Sequence, residues 1–238
     1  MVFVGLLSLM TNALATPSTQ IWIPSTDVQG FLNPHFGWDV YLSNTGKGSF
    51  SNGGITMGVL PFKKISMEVG IDYRDLSLGL PGDHRYPVYF NAKLGVPEDA
   101  FFKYMPAIAV GGLDFGLKDS VTNYNVSYGI VARTIPVIGR ISVGGYSGMG
   151  PDMLWMSSKA EVEKSGLLAS WDRVMTEISS KLWLAVDYQS ANNGYGALSV
   201  GGSWSFAPNA SVIFGYDIFN DENLSKPTFT MQVDINLK

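Results

Sequence analysis

The sequence predicts an all-β protein, a closed antiparallel transmembrane β-barrel of about twelve strands. Three observations carry this reading. Residues 228–238 alternate strictly, with Phe229, Met231, Val233, Ile235 and Leu237 on one face and Thr228, Thr230, Gln232, Asp234 and Asn236 on the other; that is the period of a strand with two unlike sides. Charged residues make up 15% of the chain, against about 25% in ordinary soluble domains. After Ala15 no apolar run reaches the roughly eighteen residues of a spanning helix, so a chain that crosses a membrane must do so with strands.

The elements follow in order. Residues 2–10 are apolar, and Ala13-Leu14-Ala15 gives a small-x-small cleavage pattern, so residues 1–15 read as a secretory signal peptide. The positive charge that usually precedes the apolar run is missing. Residues 16–35 form a lead segment: Pro17, Pro24 and Pro34 among Ser, Thr and Asn disfavour helix and strand alike, apart from Ile21-Trp22-Ile23. It is expected at the periplasmic side or folded into the lumen. The barrel itself is residues 36–238.

Strands are expected at about 36–43, 54–60, 65–74, 88–95, 107–115, 124–135, 140–147, 166–174, 181–190, 197–206, 211–219 and 228–238. Most show their faces directly. In the third, Ile65, Met67, Val69, Ile71 and Tyr73 oppose Ser66, Glu68, Gly70, Asp72 and Arg74. In the sixth, Tyr124, Val126, Tyr128, Ile130 and Ala132 form the apolar row and are assigned to lipid, against Asn125, Ser127, Gly129 and Arg133. Aromatics near strand ends, including Trp38, Tyr73, Trp171, Trp204, Phe206 and Phe219, suit interfacial girdles.

The connections give a separate test. Even-to-odd turns at 61–64, 96–106, 136–139, 175–180 and 207–210 are mostly shorter than the odd-to-even loops at 44–53, 75–87, 116–123, 148–165, 191–196 and 220–227. Bacterial barrels have this parity, with short periplasmic turns and longer outer loops. A soluble sandwich or lipocalin-like barrel alternates too. Its outer face, however, would be rich in Lys and Glu, whereas the polar face here is Ser, Asn, Gly, Tyr and Asp.

The signal-like N-terminus, the strand-turn-strand run 181–219 and the alternating last strand together resemble a Gram-negative outer-membrane β-barrel, of the porin-like kind and close to small barrels without an assigned role. The resemblance covers nearly the whole mature chain. It implies residence in the outer membrane of a Gram-negative bacterium, outer-membrane lipid as surroundings, and the barrel-assembly machinery as a partner during biogenesis. The last strand in such proteins typically ends in an aromatic residue; here the order is Asn236-Leu237-Lys238.

With apolar rows facing lipid, the opposite faces line a lumen. The expected pore-lining acids are Asp39, Glu68, Asp72, Asp114, Asp172, Asp187, Asp217 and Asp234, and the bases Arg74, Lys93, Arg133 and Arg140. An acid-rich lumen favours cations, so the expected function is passive passage of small hydrophilic solutes, of unspecified identity, with a mild cation preference. The alternative is a structural or interaction barrel whose charges pair and fill the interior. Two segments are candidates for gating or anchoring. Residues 148–165 hold Met153, Leu154, Trp155 and Met156 before a helix-compatible 159–164; residues 98–105, with Phe101, Phe102 and Tyr104, suit an interfacial turn.

Other classes fare worse. A net charge of -4 and a pI near 5.1 give no basic stripe for nucleic acid. With no Cys and only His35 and His84, thiol chemistry is excluded and metal sites reduce to carboxylates such as Asp217, Asp221 and Glu222. A barrel lipid hydrolase needs Ser activated by His at the lipid-facing surface, and neither His adjoins a nucleophile motif. No enzymatic activity, cofactor or metal is expected.

Overall fold

The computed structural model describes residues 19–45, 48–75 and 86–237; the expected signal peptide and His84 lie outside them. Twelve strands form among the described residues: β1 (Pro34–Ser43), β2 (Phe50–Gly58), β3 (Ser66–Asp75), β4 (Val88–Val96), β5 (Ala107–Gly116), β6 (Asn123–Ile135), β7 (Gly139–Gly148), β8 (Ser165–Val174), β9 (Leu182–Gln189), β10 (Ala197–Ala207), β11 (Ala210–Phe219) and β12 (Thr228–Asn236). Each pairs with its neighbour in sequence, and β12 returns to pair with β1, closing the barrel. The closing register runs antiparallel from His35 opposite Asn236 to Ser43 opposite Thr228. Closure leaves no strand edge, so the ladder groups are satisfied without water.

The barrel is apolar outside and polar inside. Trp38, Ile55, Ile71, Phe90, Val110, Val143, Val200, Phe214 and Phe229 are exposed, while Thr56, Glu68, Lys93, Ser142, Asp187, Ser199, Thr230 and Gln232 are buried. A soluble barrel would reverse this, because water drives apolar side chains inward. The arrangement is stable only where the surroundings are themselves apolar.

Two local features depart from the sequence expectations, and a bulge in β5 adds a third irregularity. In β6 the faces are inverted: Val126, Tyr128, Ile130 and Ala132 are buried inside, and Val131 faces outward. Alternation reveals two unlike faces but not which looks out, and here the inward row has apolar partners in the lumen, described below. Phe219, expected at an interfacial girdle, also points inward and packs edge-on against Trp22, with ring centroids 5.4 Å apart. In β5 the register with β6 shifts between Leu113 and Phe115. Asp114, at the shift, takes a left-handed backbone with φ of 54°; such a bulge re-aims a side chain, and Asp114 is buried inside.

Candidate functional site

The lumen is crossed by the chain itself. Residues 19–33 enter the barrel, with Gln20, Ile21, Ile23 and Ser25 fully buried and Phe31 and Leu32 exposed at the end that leads into β1. Its one bridge to the sheet is between Phe31 and Gly58, so its other buried backbone groups need acceptors and donors from the wall. Asp187 on β9 accepts the backbone N–H of Ile21 at 2.8 Å and of Trp22 at 3.0 Å. Gln232 on β12 donates to the Ile21 carbonyl at 2.7 Å, and Lys93 on β4 donates to the Ser25 carbonyl at 3.3 Å. Glu68 on β3 accepts the Gln29 backbone N–H at 2.7 Å. Gln20 donates to Asp172 at 3.1 Å, and Arg140 on β7 clasps Asp27 at 2.7 Å and Asp172 at 2.9 Å. Residues 19–33 are thus a plug, held chiefly by charged and amide side chains.

A second insertion comes from the loop side. Residues 149–164 carry a single 3₁₀ turn, Asp152–Trp155, that drives Trp155 into the barrel. Trp155 stacks on Tyr195 at 5.1 Å and meets Tyr124 edge-on at 5.8 Å. Gly148 makes room for it, since a Cβ there would collide with the indole. Trp155 and the plug's Ile23 share one apolar cluster with Ala109, Val126, Tyr128, Ile130, Tyr146 and Leu168, which supplies the partners for the inverted face of β6. The helix expected at 159–164 does not form. The chain instead turns back on itself through a bridge between Met156 and Val162, with Glu163 accepting from the Asn192 backbone and side chain at 2.9 and 3.0 Å. Asp221 accepts the Ser158 N–H at 2.7 Å. These hydrogen bonds hold the Glu163 and Asp221 carboxyls below the usual carboxylate range.

Two cavities remain. The loop-side vestibule, of about 540 Å³, is lined by Asp39, Glu68, Asp72, Arg74, Lys93 and Asp114, by the rings of Trp22, Tyr41, Phe50, Tyr124, Tyr195 and Phe219, and by mouth residues such as Lys226. The turn-side cavity, of about 830 Å³, is lined by Asp27, Gln29, Arg140, Asp172 and Asn236 among others. They share no wall residue, and the plug passes from one to the other between Pro24, which lines the first, and Thr26, which lines the second.

The expected pore-lining set therefore divides. Asp39, Glu68, Asp72, Arg74, Lys93 and Asp114 face the vestibule, and Arg140 and Asp172 the turn-side cavity. Asp187, Asp217 and Asp234 are buried and line neither: Asp187 holds the plug, Asp217 accepts from Thr228 at 2.9 Å, and Asp234 lies 3.4 Å from His35. Arg133 is not in the lumen. The inverted parity of β6 places it outside at the turn-side rim, where it pairs with Asp99 at 2.9 Å and Glu98 at 3.2 Å. Asp217 is buried in the barrel while Asp221 braces the loop, so the carboxylate trio read from the sequence does not converge. Among the pairs inside, Arg74 binds Asp114 through two nitrogens, at 2.7 and 3.2 Å, and lies over Tyr89. Tyr195 donates a short hydrogen bond to the same Asp114, and burial followed by that carboxylate pushes the Tyr195 hydroxyl well above its ordinary value.

An outer-membrane channel from Pseudomonas putida F1 superposes with a TM-score of 0.54 at 8% identity, over 88% of this chain and 97% of that one. The fold is that of an outer-membrane barrel. The NanC porin superposes with a TM-score of 0.50 at 7% identity, over 85% of this chain and 99% of that one. The outer-membrane phospholipase A of Escherichia coli gives 0.47 at 11% identity, over 87% and 92%. No protein-family model matches the chain, and no curated protein matches it in sequence.

Proposed function

We propose that this chain is a channel of a Gram-negative outer membrane, passing small hydrophilic solutes passively with a preference for cations, and that residues 19–33 set its resting conductance. The observation that carries this is the pair of cavities at the loop side and the turn side, the plug lining the first as far as Pro24 and the second from Thr26. A barrel that served only as a scaffold would have no need of polar space at both ends. The likeness to channels supports the class. Insertion by the barrel-assembly machinery and surrounding outer-membrane lipid belong to the same proposal.

Hydrolysis of lipid is disfavoured by the position of His35. It lies inside the barrel, 3.3 Å from Asn236 and 3.4 Å from Asp234, whereas an acyl chain would have to be cleaved at the outer surface. Planar-bilayer recording of the purified chain, beside a variant lacking residues 19–33, tests the channel. Small cation-preferring conductance is expected from the full chain and larger conductance from the deletion. No channels from either would replace this reading with the structural one, for which the packed cluster around Trp155 already gives a basis.

A further inference from the structure

The wall of the loop-side vestibule carries four acids, Asp39, Glu68, Asp72 and Asp114, against Arg74, Lys93 and, at the mouth, Lys226. Of its acids, Asp114 is held by Arg74 and Tyr195, and Glu68 is paired with Lys93 at 3.2 Å. Asp39 and Asp72 share with Asp114 the single positive charge of Arg74, whose ion-pair contact is to Asp114. Asp72 accepts from Asn91 at 2.7 Å and also from the Asn52 amide N–H, whereas among the described residues no hydrogen bond or ion-pair contact engages Asp39. Asn52, directly opposite Asp39 in the β1–β2 register, has a buried side-chain oxygen with no donor. Asp72 lies one strand further on, its carboxylate over Gly54, where a Cβ would strike it. Three acceptors on three adjacent strands thus face one space.

A group of aromatic rings lines the same space. Tyr41 and Phe50 stack at 4.4 Å, Trp22 meets Tyr41 edge-on at 5.5 Å, and Phe219 closes the group behind Trp22. The ring faces are negative and suit a cation or the apolar body attached to it. Arg74 makes its ion-pair contact with Asp114, and Lys226 stands at the mouth among the outer-loop residues.

From this we infer that the vestibule is a binding site for a small primary ammonium compound with an apolar, ring-sized body. The ammonium group's three N–H donors match Asp39, Asp72 and the Asn52 oxygen, and the body lies on Phe50, Tyr41 and Trp22. This names a substrate class for the proposed channel, but binding does not depend on conduction.

Calorimetric titration of the full barrel in detergent tests it, with 2-phenylethylammonium as probe and 2-phenylethanol, 3-phenylpropionate and zwitterionic phenylalanine as comparisons. The ammonium compound is expected to bind at least tenfold more tightly than the alcohol, with no binding of the acid. Asp39→Asn and Asp72→Asn should each weaken it by about tenfold and leave the alcohol unchanged; the unchanged alcohol also shows that the variant is folded. Asp119→Asn, in an outer loop, should change nothing. Equal binding of amine and alcohol, tighter binding of phenylalanine, or indifference to both lumen substitutions would each overturn the inference. Ammonium binding by a barrel that shows no conductance would remove the channel reading and leave this one standing.

Discussion

Glu68 and Lys93 face each other directly across the β3–β4 ladder, 3.2 Å apart and each about 2% exposed at the side chain. Both also reach the plug, Glu68 through the Gln29 N–H and Lys93 through the Ser25 carbonyl. Removing one partner strands a buried charge, at a cost of about 3–5 kcal/mol. Glu68→Gln alone should therefore lower the unfolding midpoint in micelles sharply. The double variant Glu68→Gln with Lys93→Met should recover much of the loss, because no charge is then left unpaired.

Asp187 is the acceptor for two successive backbone donors of the plug. Asp187→Ala leaves both N–H groups buried without partners, each costing about 1–3 kcal/mol if nothing replaces the acceptor. The barrel ladder is untouched, so the expected result is a plug released from an intact barrel. Bilayer recording should show larger or more frequent openings, and Trp22 should become more accessible to acrylamide.

Trp155→Ala removes the largest fully buried side chain among the described residues. Such truncations cost about 3–5 kcal/mol when the site cannot collapse, and a barrel wall cannot. Lower thermal stability is expected, and Gly148→Ala should act in the same direction by displacing the same indole.

Acid below the ordinary carboxylate range should loosen the loop. Glu163 and Asp221 accept hydrogen bonds that hold their pKa values below the ordinary range. A depressed folded-state pKa means their contribution is complete above the ordinary value, about 4, and is lost as pH falls through the folded value. Quenching of Trp155 fluorescence, isolated by replacing the other tryptophans with Phe, should rise only below about pH 4. Glu163→Ala should raise it at neutral pH.

Reversing charge in the vestibule should reverse preference. Asp72→Lys places a cation where the wall has an acid, so the reversal potential in a salt gradient should move toward anions.

Much of this molecule was legible in its residues. The β3 and β12 rows, Met67 to Tyr73 and Phe229 to Ile235, show both period and face because each apolar row opposes a row holding charges. The β6 row could not be oriented, since Tyr124, Val126, Tyr128 and Ile130 make the same pattern whether they meet lipid or a filled lumen. Arg133 was misplaced with it. Alternation assigns the acids to the face opposite the apolar rows, but it cannot show that Asp187 serves the plug, because that pairing joins residues 166 positions apart. One local signal did exist: Ile21-Trp22-Ile23 is an apolar triplet inside an otherwise polar lead segment, and such a triplet needs something to bury it.

The anchors of the plug come from β3, β4, β7, β8, β9 and β12, whereas the plug itself precedes β1. Gln232 and Asn236, which hold Ile21 and Gln29, reach their positions only when the final strand docks on the first. A half-built barrel thus cannot seat its plug fully, and the order of assembly is written into the anchoring. Occupation of the lumen is a sign that the wall has closed.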